Sequence, residues 1–225
     1  MIAYFVRYHA RLGETLFEHL ALLGITMLLS LVIAALLTIF LSRSLRAEEA
    51  ALRVLGAVYA IPSLALFSIL IPLLGIGVKT AIFVLTLYNQ FLLIRNFCAG
   101  LRSVDRILLE AATGIGMTET QILVTVKVPL ALPAIMAGIR LAVISTIGIG
   151  TIAAVINSGG LGTILFDGLR TMNSVKIIWG TILAAALALF ANAILSLVEK
   201  KLRKKFTPHT ADTQHECYQK SRSKK

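Results

Sequence analysis

Acidic residues are scarce in this chain. Eleven Asp and Glu stand against 22 Lys and Arg, and charges of both signs make up only 15% of the 225 residues. Soluble domains carry about a quarter charged residues to cover their surface, which excludes a soluble globular chain. Cysteine is nearly missing: Cys98 and Cys217 lie far apart and form no CxxC pattern, which argues against a disulfide or a metal site. No GxxxxGK[ST] phosphate loop occurs. Gly75-Ile76-Gly77-Val78-Lys79-Thr80 is Gly-rich but has Val78 where the final glycine must stand. No internal repeat and no Asp or Glu within the apolar runs is evident, so neither an inverted-repeat carrier nor a proton relay is expected. Residues 1–18 lack a continuous apolar core followed by a cleavage site and are not read as a signal peptide.

What is present is apolar length. The chain is 57% hydrophobic with a mean hydropathy of +0.86. Its apolar residues gather in runs near the roughly 20 residues that span a bilayer. Five spans are expected: about Leu20–Leu41, Val54–Leu74 with a kink near Pro62, Val78–Ile94, Leu132–Ile156 and Ile177–Val198. The division is an outer segment 1–18, a membrane domain 19–199 with a polar loop at 95–130, and a basic disordered tail 200–225. The net charge of +11 concentrates beside spans and in the tail. Positive-inside topology then puts the C-terminus and the 95–130 loop in the cytoplasm and the N-terminus outside. A nucleic-acid partner is not expected, because that needs a basic folded face.

The polar loop has a helical grammar of its own. Ser103 is placed to cap a first helix, with Asp105 in its first turn. Ile107, Leu108, Ala111 and Ala112 form a face, and Gly114 and Gly116 end the helix. Thr118-x-x-Gln121 has the capping-box form for a second helix, which Pro129 ends before span 4. A helix-turn-helix elbow between two spans follows.

Glu110-Ala111-Ala112, Gly116 and Val126-Lys127-Val128-Pro129 in that spacing resemble the cytoplasmic loop of binding-protein-dependent ABC importer permeases. The resemblance implies an all-α type I importer permease fold, with Glu110, Ala111, Ala112, Gly116 and Pro129 forming the element that docks on an ATPase subunit. ATP and Mg would then sit on that partner and no cofactor on this chain, which is a transport subunit and not an enzyme. A second permease copy or paralogue and a periplasmic or lipid-anchored receptor complete the set, in a bacterial inner membrane. The segments Ile61–Phe67, Ile71–Gly77 and Ser158–Gly162 with Gly168-Leu169 are similar to the osmoprotectant branch, which carries glycine betaine, choline and carnitine. Methionine-type permeases are the nearest competitor, and an ATP-independent channel is the rival outside the family.

Asn89-Gln90 departs from that branch's usual span 3. Two amides in a span line a solute path, pair with a partner permease, or pair within the subunit. Tyr59, Ser63 and Tyr88 join them as candidate path residues, the tyrosines because aromatic faces stabilise quaternary ammonium groups. Trp179 reads as an interfacial anchor. Arg140 reads as a snorkelling cation first and an ion-pair partner second. The glycine-rich segment from Asn157 to Asn173 reads as a re-entrant or interfacial helix beside the outer gate.

Overall fold

A computed structural model describes residues 2–206, all of whose regular elements are helical. In order they are α1 (Ile2–Leu41), α2 (Leu45–Tyr59), α3 (Ser63–Leu74), α4 (Val78–Arg102), α5 (Arg106–Gly114), α6 (Glu119–Ile122), α7 (Val128–Ala153), α8 (Gly162–Arg170) and α9 (Ser174–Phe206). Four helices are long and apolar enough to cross a membrane, and α2 with α3 make a fifth span if the bent pair counts as one. Cys217, His209, His215 and the rest of the tail beyond Phe206 lie outside the described residues.

α4 is the axis of the bundle, with α1, α2, α3 and α7 packed around it and α9 laid against α7 and α8. The packing is inside-out relative to a soluble protein. On α1 buried positions recur every three or four residues, at Leu12, Thr15, His19, Leu22, Thr26, Ser30, Ala34, Thr38 and Leu41, with Met27 beside them. Most are small or polar. Leu28, Leu36 and Phe40 on the other face are exposed. Lipid tails are as apolar as leucine, so helices in a membrane associate through small residues and hydrogen bonds instead. The α4–α7 contact obeys the same rule. A Cβ on Gly100 would lie 2.8 Å from the Ala134 Cβ, and one on Gly138 2.7 Å from the Asn96 Cβ.

Several boundaries differ from expectation. The first span is the C-terminal part of a 40-residue helix with no break near residue 18. At 1.5 Å per residue α1 is about 60 Å long, twice a hydrocarbon core of about 30 Å. The second span is not kinked but broken, through 94°. The last helix continues to Phe206, so its basic end is helical where a disordered tail starting at 200 was expected. The loop narrows to 103–127, because Arg95 to Arg102 still belong to α4 and Val128 onward to α7.

Candidate functional site

The elbow between α4 and α7 is a helix, a turn and a second helix. Asp105, not Ser103, caps α5: its carboxylate accepts from the Ile107 N–H at 2.9 Å. Ser103 instead closes α4, its hydroxyl donating to the Gly100 carbonyl. Hydroxyls at a helix end satisfy leftover carbonyls as readily as leftover amides, so the sequence left both roles open. At the far end of α5 the Met117 N–H reaches the Ala112 carbonyl and the Gly116 N–H reaches the Thr113 carbonyl. That pair of bonds is a Schellman motif with Gly116 at its left-handed position, φ +87°. Thr118 and Gln121 then exchange the two bonds of a capping box at the start of α6.

Pro129 does not end the second helix. α6 runs through a π-turn at Leu123–Lys127 directly into α7, with Pro129 in the first turn of the latter. Proline lacks an N–H and crowds the carbonyl four residues back. The wider turn accommodates it: the Val128 N–H bonds Leu123 O, and the Thr125 hydroxyl turns back to Gln121 O. The elbow is therefore continuous with a membrane span on one side. On the other, Arg102 at the end of α4 pairs with buried Glu48 of α2. Glu48 was not singled out in the sequence, since a carboxylate among arginines reads as surface.

Within the elbow Ala112 is buried, while Glu110, Ala111 and Gly116 are exposed. Glu110 pairs with Arg106 at 2.9 Å. Ile107 is 72% exposed and Ile115 80%. With Leu108 and Ala111 they form one exposed apolar stripe on α5, at helical spacing. The expected face of Ile107, Leu108, Ala111 and Ala112 thus splits: Ala112 turns inward and the others outward.

A second constellation surrounds the broken span. Tyr88 of α4 donates its hydroxyl to the Ile61 carbonyl at the α2–α3 break. Tyr59 stands edge-on to Tyr88 with centroids 5.4 Å apart and lies against Phe91 at 5.2 Å. Tyr59 and Ser63 are half-buried. Asn89, in contrast, is 1% exposed; its amide donates to Thr146 Oγ1 at 2.9 Å and Ser30 Oγ at 3.2 Å. Gln90 donates to the Ser30 and Thr86 carbonyls. Both amides therefore pair within the subunit, tying α4 to α1, and Asn89 also ties it to α7. Arg140 forms an ion pair with Glu199 of α9, the second of its two expected roles. The deciding acids, Glu199 and Glu48, sit at helix ends where hydropathy gives no cue.

The glycine-rich segment from Asn157 to Asn173 contains α8, with Leu161 and Ile164 buried against its neighbours. Its entry turn is held by α1. Glu18 accepts from the Gly160 N–H at 2.8 Å, and His19 packs under the same turn, where a Cβ on Gly160 would lie 2.8 Å from its Nδ1. Glu18 therefore lies within the same continuous helix as the first span. Asn173 caps α9, and Lys176 donates to Asp167 at 2.7 Å. That hydrogen bond holds the Asp167 carboxyl below its ordinary range.

Comparison with known families places these parts. Residues 26–207 match the model of the binding-protein-dependent transport system inner membrane component. The chain belongs to that family. Among its relatives, the glycine betaine/carnitine/choline transport system permease protein OpuCB of Bacillus subtilis (strain 168) is 37% identical, over 86% of this chain and 90% of the relative. The ergothioneine transport permease/ergothioneine binding protein EgtU of Helicobacter pylori (strain G27) is 33% identical over 83% of this chain, but over only 34% of that longer protein. A chain of the MetNI methionine ABC transporter in inward-facing conformations superposes with a TM-score of 0.79 at 20% identity, covering 87% of this permease and 98% of that chain. That likeness shows the type I importer permease fold, and the permease is accordingly a multi-pass membrane protein.

Proposed function

We propose that this permease imports osmoprotectants of the glycine betaine, choline or carnitine type, driven by ATP hydrolysis on a separate subunit. The reading draws its cargo from OpuCB, at 37% identity along nearly the whole chain. It draws its mechanism from the elbow. The exposed stripe of Ile107, Leu108, Ala111 and Ile115 is apolar surface with no cover among the described residues, on an element anchored to a span at each end. Such an element carries a rigid push from a docked ATPase into α4 and α7. Glu110 and Gly116 then set its charge pair and its turn, and Pro129 marks its junction with the span. ATP and Mg belong to the docked subunit.

The N-terminus faces outward and the elbow and C-terminus face the cytoplasm, following the basic residues. A second permease chain, identical or paralogous, completes the path, since five spans enclose little by themselves. α9, on which Ile182, Leu189, Phe190 and Leu197 are exposed, offers it a surface. A separate receptor delivers solute at the outer face; EgtU, named as a permease and binding protein in one chain, fits that division of labour. Tyr59 and Ser63, half-buried at the break, are the path residues we favour, with Tyr88 positioning Tyr59.

Labelled-solute uptake tests this. Cells carrying the permease with its ATPase and receptor should accumulate labelled betaine or choline. Gly116→Asp should abolish uptake while the receptor still binds solute, since a charged side chain at φ +87° breaks the docking turn. Uptake that survives Gly116→Asp or needs no ATPase would point to a channel. Uptake of labelled methionine alone would move the cargo to the other branch.

A further inference from the structure

Between the end of α1 and the elbow lies a cleft of about 920 Å³. We propose that it binds one anionic phospholipid of the cytoplasmic leaflet, the leaflet following from the orientation proposed above. Two cations line the cleft. Arg43 stands just beyond the end of α1, and Lys127 at the last residue before α7. Both mark the level at which a span leaves the membrane, where lipid phosphates lie. Among the described residues neither has a carboxylate within ion-pair reach. Glu119 also lines the cleft, leaving its lining one positive charge in excess.

The remaining wall joins apolar Ile39, Leu109, Ile122, Leu123 and Val124 to three hydroxyls. A soluble anion would meet the cations and leave this wall wet. A neutral amphiphile would cover the wall and leave the cations unpaired. A lipid with a negative headgroup satisfies both, as basic pockets between spans do for anionic headgroups. The elbow's outer stripe does not compete for the cleft. At 100° per residue, the cleft-facing Leu109 and Thr113 lie roughly opposite Ile107, Ala111 and Ile115 around α5. An ATPase seated on the stripe leaves the cleft open to the bilayer. A bound lipid would brace α1 against the elbow and so make coupling depend on membrane charge.

Native mass spectrometry of the full-length purified permease, with phosphatidylglycerol or phosphatidylcholine of identical chains, tests the proposal. One phosphatidylglycerol should be retained in preference to phosphatidylcholine. Each cation near a membrane surface contributes roughly fivefold in affinity, so Arg43→Gln with Lys127→Gln should lower retention about 25-fold. Glu119→Gln should raise it several-fold, which keeps a readout if the double variant misfolds. Equal retention of the two lipids overturns the proposal. So does a double variant that keeps its phosphatidylglycerol but loses the ATPase in co-purification, because the cleft would then serve the partner. Retention needs neither ATPase nor solute, so a failure of betaine uptake alone would strike the transport reading and leave this one standing.

Discussion

Asn89 sets a primary amide in the middle of α4, where an unpaired polar group would be costly. Thr146 and Ser30 meet it, so one side chain links α1, α4 and α7. Interhelical hydrogen bonds in membranes contribute about 0.6 kcal/mol each and at most about 1.7. Asn89→Ala should therefore cost about 1–2 kcal/mol, seen as a fall of several degrees in the melting temperature of the detergent-purified chain. Uptake should fall only in proportion. A path-lining amide would behave the other way, with altered solute affinity at unchanged melting temperature. Asn89 was legible in the sequence as an oddity. Its meaning was not, because Thr146 and Ser30 lie 57 and 59 residues away.

Short elements show where local chemistry prevails and where it yields. The capping box of Thr118 and Gln121 formed as written, since both partners lie within one turn. The break at Pro62 exceeded a kink because Tyr88, from another helix, satisfies the carbonyl that the break frees. The α1 clamp on the outer turn is wholly tertiary, and glycines expose it. Gly75 and Gly160 share a positive φ, +82° and +80°, yet a Cβ on Gly75 meets nothing while one on Gly160 lies 2.8 Å from His19 Nδ1. Both Gly→Ala changes carry a positive-φ penalty of about 1–3 kcal/mol. Gly160→Ala should cost clearly more than Gly75→Ala, by thermal unfolding in detergent, and Glu18→Ala should weaken the same turn. Equal costs at the two glycines would mean that α1 does not hold the turn tightly.

At the scale of the whole molecule the orientation is the open quantity, and exposed positions at opposite ends make it measurable. Met172, 87% exposed after α8, and Ile115, 80% exposed on the elbow, are the two probes. Native Cys98 is buried and should stay silent, and Cys217 is replaced by Ser in both labelled variants. Met172→Cys should react with a membrane-impermeant maleimide on intact spheroplasts, and Ile115→Cys only after permeabilisation. The reverse pattern would invert the topology and place the elbow away from any cytoplasmic ATPase. By itself the sequence determined the apolar spans, the position of the elbow, the glycine that turns it and the family. Each of these is written in composition or within a run of some twenty residues, where hydropathy and capping act locally. Tertiary structure alone decided that α1 is one long helix pinned to the outer turn, that Asn89 and Gln90 face inward, and that Glu48 and Glu199 neutralise Arg102 and Arg140. Those outcomes depend on which small and polar faces meet across the bundle, and in a membrane that choice rests on close packing and hydrogen bonds rather than on hydropathy.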